Sequence, residues 1–515
     1  MKTKINFLTA LLLSSTVAFG QAPAIQWENN YGGSNNDNAT SVRQTPDGGY
    51  IVAGYTNSDN GDVVGHKSGE DFWVLKLTST GNVTWKKIYG GDNDDRCYAV
   101  QPTSDGGYIL AGTSNSNNGD IVSAKGGFDA VVMKLDANGN KTFVGNFGGS
   151  DDDAFYSIVQ TTDGGYIAAG DSKSDNISGT SNKGGYDVLA VKITSTGSKT
   201  FEKLYGGSGT DRGYGVDQLS SGQYIIAGET DSNNGDVSGN KGGVDYYVLR
   251  IKTNGAINFT RTIGGTDNDQ AYGVEALAKN AYAVIGETES NNGDVPDNSG
   301  GDDYFVVSVK GDGSFKFAKT YGGETSDIGR SIHKTSDGGF ILCGETESNN
   351  GDVSNNKGSD DYWVVKIAAN GTMKWQKTLG GADKDLGTSA APTSDGGFIV
   401  AGSSESANVD VSDNNGNADY WLVKLNGTQK IGDEVSAVSA IQLYPNPAQS
   451  TVTLDGLTEA ANVIVYTITG MEAGRFESVS SSLTIDVAQW QAGYYLVRIL
   501  HADGSQETLK LYKSE

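Results

Sequence analysis

The chain has 515 residues, a formal net charge of −25 and 73 glycines, with only 7 prolines. Its 25 Tyr, 15 Phe and 7 Trp argue against disorder, and the scarcity of proline argues against collagen. The acidic balance argues against nucleic acid as a partner, because phosphate binding needs a basic patch. This surplus of turn-forming and aromatic residues predicts an all-β protein of many short strands.

The first twenty residues have the pattern of a secretory signal peptide. Lys2 and Lys4 precede an apolar run, residues 7–17, that is too short to cross a bilayer. Ala18 and Gly20 then supply the small residues of a cleavage site. We therefore expect residues 1–20 to be removed on export, and no other run predicts a transmembrane segment.

A unit of fixed length then recurs seven times. Gly-Gly pairs begin at positions 32, 90, 148, 206, 264, 322 and 380, a constant step of 58 residues (90 − 32). Two columns of aspartate keep the same step, and we interpret them as structural because every copy has them. They are Asp37, Asp95, Asp153, Asp211, Asp269, Asp327, Asp385 and Asp71, Asp129, Asp187, Asp245, Asp303, Asp361, Asp419.

Each unit predicts four antiparallel strands, which in the first copy cover residues 39–45, 50–54, 71–77 and 83–89. Asp47 and Gly48 give the first pair a tight hairpin turn, since Asp-Gly supplies the left-handed conformations that such turns need. Four short strands repeated seven times are typical of β-propeller blades. The pattern therefore predicts a seven-bladed β-propeller over residues 22–427, with an open solenoid as the alternative.

The chain ends favour the closed ring over the solenoid. The seventh unit lacks a fourth strand, whereas residues 25–31 precede the first complete unit. Trp27 in that segment is in register with Trp85 and Trp375, which lie in fourth strands. We therefore expect the N-terminal strand to complete the last blade, which also removes exposed strand edges.

Acidic loops are expected to gather at one end of the ring. The loop between the second and third strands of most units carries an aspartate: Asp62, Asp120, Asp236, Asp294, Asp352 and Asp410. Carboxylate and carbonyl oxygens suit calcium, which is the candidate cation for these loops. The alternative interpretation is that the Asp and Asn side chains cap loop amides.

Departures from sevenfold symmetry are better candidates for a ligand site, because a ligand is rarely sevenfold. One first-strand position reads Thr40, Tyr98, Tyr156, Tyr214, Tyr272, Arg330 and Thr388. Tyrosine faces can stack on sugars or hold peptides, and Arg96, Arg212 and His333 nearby in sequence add donors. We predict ligand binding there, with packing between blades as the alternative.

The repeat ends before a polar stretch, and a different composition follows. Residues 428–439 are interpreted as a linker, and residues 440–515 as a small β-sandwich. Strands are predicted at residues 463–468, 483–487, 494–499 and 508–512, where apolar residues alternate.

The C-terminal segment resembles the sorting domain of bacterial type IX secretion. The resemblance is carried by residues 443–447, 466–470 and 492–499 and by the closing residues 510–513. Its motif residues are Tyr444, Pro445, Asn446, Pro447, Gly493, Lys510 and Lys513. It implies recognition by the type IX machinery, export across the outer membrane of a Gram-negative bacterium, and a secreted or cell-surface location. The 58-residue unit is similar to secreted bacterial propeller repeats through residues 104–112 and 129–135.

The sequence carries no recognised catalytic signature, so no catalytic residue is assigned. The leading hypothesis is an exported binding or interaction scaffold for an extracellular glycan or protein. The alternative is a polysaccharide hydrolase or lyase that uses carboxylates and Tyr at the mouth of the channel. A convergent set of Tyr, Arg or His and a carboxylate in one pocket would favour the enzyme.

Overall fold

A computed structural model describes residues 20–121, 125–177, 179–427, 441–457, 461–467, 471–501 and 506–514. The chain divides into two units, Met1–Thr428 and Gln429–Glu515. All but the last residue of the predicted signal peptide, and the whole predicted linker, lie outside the described residues. The described part is all-β apart from one short 3-10 helix, Ala278–Asn280.

The strands of the first unit have nearly equal lengths and spacings. In chain order they are β1 Ile25–Tyr31, β2 Asp37–Gln44, β3 Tyr50–Thr56, β4 Asp71–Leu77, β5 Val83–Tyr89, β6 Asp95–Pro102, β7 Tyr108–Ser114, β8 Asp129–Leu135, β9 Lys141–Phe147, β10 Asp153–Gln160, β11 Tyr166–Ser172, β12 Asp187–Ile193, β13 Lys199–Tyr205, β14 Asp211–Gln218, β15 Tyr224–Thr230, β16 Asp245–Ile251, β17 Ile257–Ile263, β18 Asp269–Ala276, β19 Tyr282–Thr288, β20 Asp303–Val309, β21 Phe315–Tyr321, β22 Asp327–Lys334, β23 Phe340–Thr346, β24 Asp361–Ile367, β25 Met373–Leu379, β26 Asp385–Pro392, β27 Phe398–Ser404 and β28 Asp419–Leu425.

These strands form seven antiparallel four-stranded sheets, which are the blades of a β-propeller. Blades 1 to 6 each contain four consecutive strands, from β2–β5 to β22–β25. Blade 7 has the order β1-β28-β27-β26, so the N-terminal strand completes it. Trp27 pairs with Lys424 and Tyr31 with Tyr420. The predicted closed ring is confirmed.

The first strand of each blade lies innermost. β2, β6, β10, β14, β18, β22 and β26 each contact the next in a closed circle around the central channel. Each has a β-bulge at the same place, for example between Ala39 and Ser41. The extra residue of the bulge is unpaired in the ladder, which leaves its side chain free of the blade core. That residue is the Thr40 position, where the sequence breaks symmetry.

Apolar side chains fill the spaces between blades. Between blades 7 and 1, Trp73 and Leu75 of β4 pack with Tyr420 and Leu422 of β28. Buried tyrosines also link adjacent blades through hydrogen bonds. Tyr420 donates to the Trp73 carbonyl at 3.0 Å across the closing junction. Tyr362 donates in the same way to Trp421 between blades 6 and 7, at 3.2 Å.

The turn that differs in the fifth repeat still closes its hairpin. In the other repeats, glycines such as Gly48 (φ +80°) adopt the left-handed conformation. Repeat five replaces this turn with the short helix, where Lys279 and Asn280 take positive φ values of 61° and 59°. Asn280 also accepts a 2.8 Å hydrogen bond from the Ser221 amide of the preceding blade.

The second unit is a small β-sandwich. Its strands are β29 Gln442–Tyr444, β30 Thr451–Asp455, β31 Ala461–Thr467, β32 Glu472–Val479, β33 Ser482–Asp486, β34 Gly493–His501 and β35 Gln506–Lys513. One sheet has the order β29-β30-β33 and the other β32-β31-β34-β35. Their inner faces share one apolar core, to which Val452, Val463 and Val497 contribute.

Closure of the ring in solution can be tested at the two tyrosine hydroxyls that cross adjacent junctions. Tyr420→Phe removes the hydrogen bond across the closing junction, and Tyr362→Phe removes its equivalent within the continuous chain. We expect each variant to lose about 1 kcal/mol of unfolding free energy, measured by denaturant titration. A loss in Tyr362→Phe with none in Tyr420→Phe would mean that the junction is open.

Candidate ligand site at the channel mouth

Four tyrosines and one arginine form a continuous arc on the channel-facing strands. The ring centroids of Tyr98 and Tyr156 lie 5.2 Å apart, those of Tyr156 and Tyr214 5.0 Å, and those of Tyr214 and Tyr272 5.4 Å. The Arg330 guanidinium then lies 4.5 Å from the centroid of Tyr272. We call these five residues the tyrosine arc. They occupy five of the seven copies of the first-strand position at which the sequence analysis found broken symmetry.

The two remaining blades interrupt the arc. Thr388 in blade 7 and Thr40 in blade 1 replace the aromatic residues. Their hydroxyls donate to main-chain carbonyls of the next blade, Thr388 to Ala39 at 2.8 Å and Thr40 to Cys97 at 2.9 Å. At this bulge position the tyrosines are therefore confined to blades 2 to 5, and Arg330 ends the arc in blade 6. Tyr55, on the second strand of blade 1, packs against Tyr98 with ring centroids 6.5 Å apart.

Carboxylates on the neighbouring strands hold the tyrosine hydroxyls, a feature that the sequence analysis missed. Tyr214 donates to Glu229 at 3.2 Å and Tyr272 to Glu287 at 2.9 Å. In blade 3 the Tyr156 hydroxyl lies 3.4 Å from Asp171. The signal was available, because the residue after the lone glycine of the second strand also breaks symmetry. In chain order it is Tyr55, Thr113, Asp171, Glu229, Glu287, Glu345 and Ser403.

Two arginines pair with these second-strand carboxylates and offset part of their negative charge. Arg212 Nε lies 2.9 Å from Asp171, and its Nη1 lies 3.3 Å from Glu229. Arg330 Nη2 lies 2.7 Å from Glu345. Burial raises the pKa of Asp171 to about 7, although the Arg212 charge opposes the shift. A carboxyl that titrates near neutral pH can donate or accept a proton under ordinary conditions.

A small pocket opens in blade 3 because of one short side chain. Ala154 occupies the position that holds Arg96 in blade 2 and Arg212 in blade 4. The resulting pocket has a volume of about 170 Å³, and Tyr98 and Tyr156 belong to its lining. The remaining lining includes Asp171, Phe128 and Tyr186.

Aromatic rings support the arginines on both sides of this pocket. The Arg212 guanidinium lies 4.6 Å from the Tyr186 ring centroid, and that of Arg96 lies 5.6 Å from Phe128. Arg96 also pairs with Glu70. The structure thus brings both predicted arginines to the tyrosine arc.

His333 is not part of the arc, although the sequence analysis grouped it with the tyrosines. It lies three residues beyond Arg330 on β22, so its side chain belongs to another layer of the channel. There its Nδ1 lies 3.2 Å from Glu275. Burial and the nearby Arg43 charge lower the pKa of His333. Burial also raises the pKa of Asp217 in that layer to about 6.

Lysines contact most of the aspartates predicted as calcium ligands. Asp62 lies 3.0 Å from Lys86, and Asp120 lies 3.0 Å from Lys141. Asp236, Asp294 and Asp410 pair with Lys183, Lys241 and Lys357 of the preceding blade. In the described part of the chain, no three His, Cys, Asp or Glu side chains form a group that could hold a metal ion. These contacts favour the interpretation that the loops need no cation, and calcium stays a prediction.

The Asp37 column anchors the start of each innermost strand. Asp37 Oδ2 accepts hydrogen bonds from the Gly33 amide at 2.8 Å and from Ser58 at 2.9 Å. Its Oδ1 accepts one from Thr56. Each equivalent aspartate accepts from the second glycine of its Gly-Gly pair. These carboxylates tie three segments of a blade together.

The Asp71 column lies at the junction between blades. Asp71 Oδ2 accepts from the Lys67 amide, while its Oδ1 is buried without a hydrogen-bond partner. A side chain at Gly90 would overlap both Asp71 and Asp95. Burial raises the pKa of Asp71 to about 6, and the Asp95 charge adds to the shift.

In the second unit, the structure joins the two halves of the predicted sorting motif. Asn446 donates from Nδ2 to the Lys510 carbonyl at 2.7 Å. Its Oδ1 accepts from the Tyr512 amide at 2.8 Å. Tyr444 and Tyr494 are exposed, whereas Lys513 is buried.

Residues 442–513 match the family model described as the secretion system C-terminal sorting domain. The second unit is a type IX secretion sorting domain. The protein is therefore a type IX secretion cargo that is secreted or exposed at the bacterial cell surface. In the part of the chain that the structure describes, no helix is long and apolar enough to cross a membrane. A comparison with curated protein sequences finds no match.

Several solved structures resemble the chain distantly. PorZ, a surface component of the type IX secretion system of Porphyromonas gingivalis, is 12% identical, with 91% of this chain and 73% of PorZ covered and a TM-score of 0.31. An extracellular domain from B. thetaiotaomicron is 11% identical, with 93% and 68% covered and a TM-score of 0.32. An aldose sugar dehydrogenase from Streptomyces coelicolor is 11% identical, with 79% and 100% covered and a TM-score of 0.31.

The aspartates of the Asp71 column, which we call the junction aspartates, have raised pKa values. We therefore expect the free energy of unfolding to increase as the pH is lowered from 8 to 5. Burial raises the folded-state pKa of Asp303 to about 7, so the folded state binds its proton more tightly than the unfolded state does. Protonation at mildly acidic pH therefore stabilises the fold, and ionisation above pH 7 destabilises it. Asp303→Asn should raise the melting midpoint at pH 8 and have a smaller effect at pH 5.

Asp337→Asn is the matched control for this measurement. Thr335 and Lys366 hold the pKa of Asp337 below its ordinary value against partial burial. Its contribution is present above pH 4 and is lost at lower pH, so its removal should lower the midpoint at both pH values. A melting midpoint of the unmodified protein that decreases as the pH is lowered from 8 to 5 would contradict the raised pKa values of the junction aspartates.

Calcium can be tested by melting the protein with and without a chelator. Because lysine ammonium groups already contact the loop carboxylates, we expect the melting midpoint to stay unchanged on addition of EDTA. A cation bound to the folded state would raise the midpoint by mass action. A drop with EDTA that excess calcium reverses would restore calcium to these loops.

Proposed function

We propose that this protein is an extracellular binding protein whose ligand, a glycan or a protein segment, docks on the tyrosine arc. The sorting domain delivers the ring to the outside of the cell, where such ligands occur. The observation that carries the proposal is the confinement of the aromatic arc to adjacent blades. A structural need common to all blades would repeat seven times, as the aspartate columns do.

The pocket beside Ala154 supports recognition of one inserted group. Its volume of about 170 Å³ suits a single side chain or one sugar unit rather than a whole ligand. Tyr98 and Tyr156 offer aromatic faces to such a group, and Asp171 offers a polar partner. The rest of the ligand would lie along the arc toward Tyr214 and Tyr272.

A glycan and peptide array probed with the full chain tests this proposal. We expect binding to a subset of spots, and Tyr156→Ala should weaken it by about tenfold, because a central aromatic contact is lost. Tyr494→Ala is the control, since Tyr494 lies in the sorting domain with 51% of its surface exposed. Equal binding by both variants would exclude the arc as the site.

A second function, cleavage of a polysaccharide, is favoured by one set of contacts. Asp171 lies 2.9 Å from Arg212 and 3.4 Å from the Tyr156 hydroxyl, and its pKa is raised to about 7. A carboxyl of this kind can act as a general acid or base beside a tyrosine. Incubation of each bound polysaccharide with the protein distinguishes the functions. An enzyme would release shortened products, and Asp171→Asn would stop their release.

A further inference from the structure

The second strands beside the tyrosine arc carry more carboxylates than there are cations to pair with them. Asp171, Glu229, Glu287 and Glu345 lie side by side on the second strands of blades 3 to 6. Among the residues that the structure describes, only Arg212 and Arg330 pair with them: Arg212 with Asp171 and Glu229, and Arg330 with Glu345. Glu287 has no ion pair within the described residues.

The chain itself shows how a cation lies on this surface. The Arg330 guanidinium occupies the position that tyrosine has in the four preceding blades. It stacks 4.5 Å from the Tyr272 ring centroid and bonds to Glu345 at 2.7 Å. An aromatic face with an adjacent carboxylate is the arrangement that proteins use for organic cations. Tyrosine and carboxylate recur together in blades 3, 4 and 5.

Glu287 is the carboxylate that this internal cation leaves unpaired. Its side chain is buried, with 8% of the residue's surface exposed. One oxygen, Oε1, accepts from the Tyr272 hydroxyl at 2.9 Å, whereas Oε2 is buried without a hydrogen-bond partner. A buried carboxylate oxygen without a donor carries a free-energy cost that an incoming N–H donor would offset.

From these contacts we propose that the arc recognises a ligand through a primary ammonium group, which lies against the tyrosine faces and is attracted by the Glu287 carboxylate. The inference rests on the proposed function and names the chemical class of the group bound. The chemistry is shared by an amino sugar and a lysine side chain. The net charge of −25 also favours the approach of cations over anions.

Calorimetric titration of the full chain with matched probes tests the inference. Glucosamine is compared with N-acetylglucosamine, and Nα-acetyl-lysine amide with Nα-acetyl-norleucine amide. We expect the ammonium member of at least one pair to bind about tenfold more tightly than its neutral partner. The pair that responds identifies the source as glycan or peptide. No difference in either pair, or no binding by either ammonium probe, would overturn the inference.

Variants then assign the effect to the arc. Glu287→Gln should reduce the preference for the ammonium probe, whereas Glu347→Gln removes the same charge from an exposed loop position and should preserve it. Equal preference in both variants would exclude Glu287. If a neutral glycan binds as well as its ammonium partner and Tyr156→Ala abolishes that binding, the proposed function stands and the inference of an ammonium group is rejected. If there is no preference for an ammonium probe and Tyr156→Ala does not weaken binding, both the inference and the proposed function are rejected. The comparison of probes needs no variant, so it stands even if Glu287→Gln does not fold.

Discussion

Six buried carboxylates of the Asp71 column, each placed against the first glycine of a Gly-Gly pair, determine how the blades meet. At the first junction Asp71 lies beside Gly90, and a side chain at that glycine would overlap both Asp71 and Asp95. The close approach therefore requires a residue without a Cβ. The same contact recurs at six of the seven junctions, and the remaining glycine, Gly148, has a positive φ, where a side chain would overlap Asp153. These contacts explain why the first glycine of each pair and both aspartate columns are invariant through the repeats. Their identity is a requirement of assembly rather than of binding.

This invariant frame leaves other columns free to differ between blades. The bulge residue of each innermost strand is one such column, and the residue after the lone glycine of the second strand is another. In blades 3 to 5 these columns pair a tyrosine with an acid, as Tyr214 and Glu229 do at 3.2 Å. In blade 7 they hold Thr388 and Ser403, and in blade 1 they hold Thr40 and Tyr55, so neither blade pairs a tyrosine with an acid. The asymmetry thus concentrates aromatic and acidic groups on one side of the channel.

Much of the fold was predictable from the sequence because the repeat is exact. The predicted strands at 71–77 and 83–89 agree with β4 and β5 residue for residue. β2 begins at Asp37, two residues before the predicted start, because its first residues are fixed by carboxylate hydrogen bonds that an apolar pattern does not reveal. In the sorting domain, β29, β30 and β32 were not predicted as strands. β29 has only three residues, and charged residues and a glycine interrupt the apolar pattern of β32, whereas β30, where Val452 and Leu454 alternate with threonines, was overlooked.

The candidate site was only half predictable. Broken symmetry identified the tyrosines, yet Asp171 and Glu229 carry the same signal and were overlooked within buried strands. Their burial is tolerated because tyrosine hydroxyls and Arg212 lie beside them. His333 was grouped with the arc through nearness in sequence. The order of layers along the channel, which separates it from Arg330, depends on strand geometry rather than on spacing alone.

The pairing of β1 with β28 has a consequence for how the molecule reaches its final form. Ile25 pairs with Leu425, so β1 has no partner strand until nearly the whole ring has been synthesised. Contacts of such sequence separation form late, since their loop-closure entropy must be overcome first. Until then blade 7 is missing its outer strand and keeps an unpaired edge. The ring can therefore close only after the chain has been synthesised as far as residue 425.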